Sequence, residues 1–349
     1  MNNYNQPNPD AKLINPSEGE QTDSTFNRLD CTVSRYTLIE DRGVRRANAV
    51  IASGEMMRRV PITADDVARW KTQGLGLGEG AHYKPWIDVR CFSSRGRMSR
   101  RLGVTTGRVH HLFSDNESCF FLMADYAADV VDIREQFPLF PESATQRVAS
   151  SLGVRHPSYP RSQTPIVMTT DFLLTRIDKS GKRYLVAFSI KSADDLRGRS
   201  RKSVLTKLEI ERRYWLVRGI PWYLFTNAEF DKTVIDNLEW LSYFMVEHDI
   251  DRDAFEAHLP RFLAAFNTPS LQGLMLADRL RECAAVFAAA VSPELATDMF
   301  RYCAWHKLIN LDLRVPIGLR CIPVVLPVAS DSRFSCAQKG GYNGSIVSC

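Results

Sequence analysis

The stretch that most limits how this chain can fold is a β-turn-β unit in its middle. IVMTTDFLLTR (166–176) and RYLVAFSIK (183–191) are extended runs rich in β-branched and aromatic residues, joined by the turn residues DKSGK. A three-residue loop, Lys179-Ser180-Gly181, with glycine in the left-handed position pairs Asp178 with Lys182. That register sets Asp171 opposite Ser189 and Lys191 opposite Thr169. Opposite residues share a face of the sheet, as do positions two apart, so Asp171, Ser189 and Lys191 project from one side. Asp171 and Lys191 become diagonal neighbours with backbones roughly 7–8 Å apart. A loop one residue shorter would slip the register and send the two to opposite faces. A helix then runs from about Ser203 to Arg218, stopped by Gly219, into the apolar strand IPWYLFT (220–226). A helical crossover of that length makes the strands 183–191 and 220–226 parallel.

Upstream, Ser114 opens a bulky apolar helix, followed by the extended VVDIREQF (130–137) and a proline-bounded loop, PLFP. The order α-β-β-β-α-β defines an α/β unit with a mixed sheet over residues 61–228. Before it, Thr63 caps a short helix through about Thr72. The run GLGLGEG (74–80) lacks the preceding strand and following helix of a phosphate-binding loop and reads as a linker. From Tyr83 to Thr106 two extended stretches flank a Ser-Ser-Arg-Gly turn, an expected hairpin. Residues 229–328 change texture to helices at about 231–247, 251–265, 274–291 and 293–308, followed by an expected strand pair. Residues 1–30, with few large apolar groups, read as a disordered tail within a poorly ordered extension over 1–60, and a polar, flexible tail over 329–349 completes the expected layout.

Of 349 residues, 44% are hydrophobic and 24% charged, an ordinary globular balance. No apolar run approaches the roughly 20 residues of a membrane span, and the N-terminus has neither part of a secretory signal. Eight cysteines stand at least 13 positions apart, which suits reduced thiols rather than a zinc site or a disulfide framework. These features together predict a cytoplasmic protein without a membrane partner. The net charge is only +5, but its distribution is uneven. Arg90 to Arg108 carries six arginines and no carboxylate, and a second cluster holds Arg197, Arg199, Arg201 and Lys202. Arg95, Arg97, Arg100, Arg101, Arg108, His110, Arg199, Arg201 and Lys202 are therefore candidate contacts to a phosphate backbone.

The β-turn-β unit also carries chemistry. An acid followed some 20 residues later by x-x-Lys at the end of the next strand is the layout of PD-(D/E)xK metal-dependent phosphodiesterases. A divalent ion needs hard oxygen ligands, which Asp171 and the backbone carbonyl of Ile190 can supply. Lys191 can orient the attacking water and offset charge on phosphorus, while the metal acts as Lewis acid and template. Glu117, on the preceding helix, is the candidate second carboxylate. Ser114-x-x-Glu117 equally matches a capping box, and the two roles are compatible. Asp171 interrupts an apolar strand, where a lone half-buried carboxylate is costly. Glu209 and Glu211, beside Arg212-Arg213, read as surface ion pairs.

From about Arg69 to Thr226 the chain resembles the TnsA family, the endonuclease subunit of heteromeric cut-and-paste transposases. The shared stretches are YKPWIDV, TGRVHHLFSDNE, DIREQFPLFP, His156-Pro157, MTTDFLL, FSIK, KLEIERRYW and GIPWYLFT, in order. The resemblance implies a restriction-endonuclease-like core using Mg²⁺, with Mn²⁺ a possible substitute. It places the catalytic acids on Glu117 and Asp171 and the lysine on Lys191. Ser189 stands where the family has Gln; its shorter side chain would reach a metal through a bridging water. The resemblance further implies cleavage of the 5′ strands at transposon ends beside an integrase-like, TnsB-type transposase that processes the 3′ ends. It also implies a winged-helix-like C-terminal domain that engages an AAA+, TnsC-type regulator.

Overall fold

The computed structural model describes residues 61–89, 97–245, 252–287 and 293–327. The expected N-terminal extension and polar tail, and with them Arg95, lie outside the described residues.

Helix α1 (Ala64–Thr72) begins where Thr63 and Asp66 satisfy each other's backbone N–H in a capping box, as the sequence indicates. The glycine run after it is packed rather than a linker. Gly76 N–H donates to Lys84 O, and a Cβ at Gly76 would sit 2.2 Å from the Pro138 ring. Strands β1 (Ser99–Leu102) and β2 (Val109–Leu112) form a separate antiparallel hairpin. Its turn is 103–108; the expected Ser-Ser-Arg-Gly turn (93–96) lies outside the described residues. Gly103 packs against the His110 ring, Gly107 takes the left-handed conformation, and the Asp125 carboxylate binds the N–H groups of Val104 and Thr105. A tertiary anchor thus selects the turn.

Helix α2 (Asp115–Tyr126) leads into the main sheet, built of β3 (Val130–Pro138), β4 (Thr169–Ile177), β5 (Arg183–Lys191) and β6 (Trp222–Thr226) in that spatial order. The β4–β5 register runs from Ile177↔Arg183 to Phe172↔Phe188, which is the register that the three-residue loop dictates. Gly181 holds φ +83° in that loop. β5 and β6 are parallel, joined by α4 (Arg201–Leu216), while α3 (Glu142–Ser151) intervenes between β3 and β4. Helix α3 has no counterpart in the sequence reading. Its buried residues are Ala144, Thr145 and Ala149, too small to give a strong apolar periodicity.

One face of the sheet packs Phe172, Leu174, Val186, Phe188 and Ile190 against Phe120 and Phe121 of α2. The other packs Leu173 and Ala187 against Ala144 and Ala149 of α3 and Ile210, Tyr214 and Trp215 of α4. The C-terminal part contains α5 (Lys232–Ser242), α6 (Arg252–Phe266), α7 (Leu276–Ala285) and α8 (Pro293–Trp305) around Leu238, Phe262, Phe266, Leu280 and Phe300. Leu122 of α2 joins this core and Ile235 of α5 joins the sheet's, so α2 is packed from both sides. In place of the expected terminal strand pair, the described residues after α8 hold an isolated Leu311–Val325 bridge. No helix among the described residues is long and apolar enough to cross a membrane.

Candidate active site

The ladder between β4 and β5 ends at Phe172↔Phe188, and beyond it side chains take over from backbone. The Asp171 carboxylate accepts from Ile190 N–H at 2.7 Å and from the Lys191 ammonium at 2.6 Å. Lys191 Nζ also donates to Ile190 O at 2.8 Å. Three expected site residues therefore meet within one hydrogen-bonded knot. Burial pushes the Lys191 ammonium down, but Asp171, then Glu211 and Glu117, hold it above the usual lysine value. Lys191 is therefore a fixed cation rather than a base.

Glu117 is buried in the first turn of α2. Its Oε2 accepts from Phe113 N–H at 2.9 Å and its Oε1 from the Ser114 hydroxyl at 3.0 Å, while Ser114 Oγ accepts from Glu117 N–H. The carboxylate thus secures the helix start, through the Phe113 N–H rather than that of Ser114, and lies near enough to Asp171 and Lys191 for their charges to act on it. Burial, then the charge of Asp171, raises it to about 7 against these donors.

Two further residues belong to this neighbourhood. Glu211 of α4 is 5% exposed, and not a surface ion-pair partner as its sequence context suggests. Its Oε1 accepts from the Ser189 hydroxyl at 2.5 Å, from Trp222 Nε1 at 3.1 Å and from the Thr170 hydroxyl. Burial, then Asp171, raises Glu211 to about 7 as well. Glu209, by contrast, forms the expected exposed pairs with Arg212 and Arg213. The signal for Glu211 was present: Leu208, Glu211 and Trp215 are spaced i, i+3, i+7, so the carboxylate lies on the apolar stripe. The Ser189 hydroxyl is therefore engaged by Glu211, not turned toward Asp171. The second residue, Gln136 of β3, donates its amide to Glu117 Oε2 at 3.3 Å from a left-handed backbone (φ 48°). Nothing in the sequence marks such a φ.

The donor set suits a hard divalent cation. Glu117 and Asp171 offer carboxylates, Ile190 a main-chain carbonyl, and the raised Glu117 and Glu211 report negative charge lacking full compensation. Among the described residues no three His, Cys, Asp or Glu side chains converge as a ready metal cage. The ligands available are two carboxylates and a carbonyl, with water completing any coordination.

The basic residues divide sharply. Arg108 and His110 are internal: Arg108 donates to Glu135 Oε1 at 2.8 Å, to its Oε2 and to Ile133 O, and His110 is 0% exposed. His110 Nδ1 lies 2.8 Å from Glu135 Oε2, and its Nε2 2.7 Å from Thr106 Oγ1. Neither presents a surface to phosphate, which corrects the sequence reading. Arg101 is held by Glu239 of α5 through two bonds of 2.8 and 2.7 Å, and Arg97 pairs with Asp115 at the surface. Arg100 is exposed on β1. Arg199, Arg201 and Lys202 are exposed with no acidic partner among the described residues. With Arg155 and Lys207 they line a cleft between residues 152–157 and the first turns of α4, floored by Leu152, Val154 and Leu205.

Comparison with known proteins shows what this chain is similar to. Residues 127–227 match the family described as TnsA-like endonuclease N terminal. The chain is also 42% identical over 175 residues to the transposon Tn7 transposition protein TnsA of Escherichia coli. The chain is thus similar to TnsA proteins over part of its length. That alignment covers 50% of this chain and 61% of the relative. The span matched to the TnsA-like domain contains Asp171, Lys191 and Glu211, whereas Glu117 lies ten residues upstream of it.

Proposed function

We propose that this chain is a Mg²⁺-dependent DNA endonuclease that cleaves the 5′ strands at transposon ends, acting in the cytoplasm at the nucleoid. Its partners on this reading are the transposon-end DNA, an integrase-like transposase of the TnsB type and an AAA+ regulator of the TnsC type. The observation that carries it is the contact of Lys191 with Asp171 beside the buried Glu117. Buried, strongly perturbed ionisable groups gathered at one sheet end are what a reacting centre requires. The match of residues 127–227 to a family described as TnsA-like endonuclease N terminal supports the reaction class.

Asp171, Glu117 and the carbonyl of Ile190 would hold the divalent ion. When bound, that ion supplies Lewis-acid polarisation of the phosphodiester and a more acidic water. Lys191, kept cationic by Asp171, orients the attacking water by donating to it and offsets negative charge on the phosphate. Arg100, Arg199, Arg201 and Lys202 offer exposed cations to the backbone of the duplex.

The test is Asp171→Ala in a reconstituted system containing the full chain, the partner transposase and a transposon-end DNA. Loss of 5′-strand cleavage with complex assembly intact is the expected result. Undiminished cleavage would leave a non-catalytic DNA-binding subunit. Cleavage of plasmid by the purified chain alone would identify a stand-alone nuclease instead.

A further inference from the structure

Gln136 lies directly opposite Asp171. Its neighbours Glu135 and Phe137 pair with Phe172 and Thr170, so position 136 is the one that faces residue 171, and there the ladder is interrupted. The interruption has a local cause: Gln136 adopts φ 48°, which turns its carbonyl away to accept from Trp86 N–H at 3.3 Å. The side chain is buried, with its amide nitrogen 3.3 Å from Glu117 Oε2 and its amide oxygen accepting from the Thr169 hydroxyl at 3.4 Å. Glycine is the residue that takes a left-handed backbone most cheaply. A buried glutamine there must return something through its side chain, and the amide reaches the carboxylate on α2 and the strand that carries Asp171.

We propose that Gln136 is the positioning residue for Glu117, with the left-handed backbone at 136 serving to deliver its amide. This rests on the metal-site reading above. Glu117 is carried by a helix and Asp171 by a strand, so nothing in the backbone ladder ties the two together. Gln136 supplies that tie from β3. Its amide shares Oε2 with the Phe113 N–H, and with the Ser114 hydroxyl on Oε1 one lone pair of Oε1 is left for a cation.

The experiment measures Mn²⁺ uptake by the full chain, read by the loss of free-ion electron paramagnetic resonance signal, together with thermal unfolding. Gln136→Gly removes the amide and relieves the backbone, so it should unfold at or above the parent temperature yet bind Mn²⁺ about 10–100-fold more weakly. Gln136→Met keeps the bulk and the backbone cost without the amide, and should lose affinity alike. Either variant, folded and binding Mn²⁺ within about twofold of the parent, overturns the proposal, since a purely structural residue would affect only unfolding. Asp171→Ala is the control. If it abolishes uptake while the Gln136 variants bind normally, this inference alone fails. If the parent takes up no Mn²⁺, the metal-site reading falls and takes this inference with it.

Discussion

Glu135 and the pair Glu117/Glu211 are buried carboxylates of the same sheet unit, yet their surroundings are opposites. Glu135 meets the Arg108 guanidinium on both oxygens, the His110 ring and the backbone N–H of His111. Burial pushes it up, but Arg108 and His110 outweigh burial and hold it at about 2. Glu117 and Glu211 meet hydroxyls, an amide and indole or backbone N–H groups, with one ammonium, Lys191, shared among them and Asp171. They are held near 7. A buried charge fully compensated by the protein braces a fold. A buried charge left short of compensation is a place where a ligand completes it. That contrast separates the braced hairpin from the undercompensated end of the sheet within a few residues of chain.

Removing one partner of the compensated cluster should have the largest effect. Arg108→Ala strands a fully buried carboxylate and should cost about 3–5 kcal/mol, measured by urea unfolding. A loss below about 1 kcal/mol would show that the cluster is no brace.

The two clusters should next be separable by pH. The folded value of Glu135 lies below its ordinary 4.5. Its stabilisation is therefore complete above about 4.5 and drains away as pH falls toward 2, a change on the order of 3 kcal/mol. The folded values of Glu117 and Glu211 lie above 4.5, so the folded state holds the extra protons. Metal-free stability should then decline as pH rises from about 4.5 to 7. Unfolding free energies that rise or stay flat between about pH 4.5 and 7, above the range in which Glu135 titrates, would break the comparison. Glu211→Gln keeps an acceptor for Ser189 and Trp222 without the charge. It should flatten the alkaline decline and gain about 1 kcal/mol at pH 8, as removal of a buried charge does.

The smallest effect on the fold belongs to the exposed cations at the start of α4. Replacing Arg199, Arg201 and Lys202 together by Ser should change stability by no more than about 0.5 kcal/mol. The same change should lower the slope of log affinity for duplex DNA against log salt by roughly 0.9 for each phosphate no longer neutralised. An unchanged slope would mean that these charges face solvent only.

Which basic residues are free was not legible from charge runs, and the reason is general. Arg97 to Arg108 has no acid within its own stretch, but its partners come from elsewhere: Asp115, Glu239 and Glu135. Local sequence records the charge and not what folds against it. The same holds in reverse for Glu211, whose adjacent arginines serve Glu209 while its own carboxylate turns inward.

What the chain's order of residues determined was local. A three-residue loop with glycine at its left-handed position fixed the β4–β5 register as far as Phe172↔Phe188, because loop length sets which residues pair. The spacing of Leu208, Glu211 and Trp215 fixed which side of α4 is buried. Tertiary structure decided how far each buried charge is compensated, which turn closes the first hairpin and where β3 breaks at Gln136. These depend on groups far apart in the chain meeting in space, and compensation is a property of that meeting rather than of any one segment.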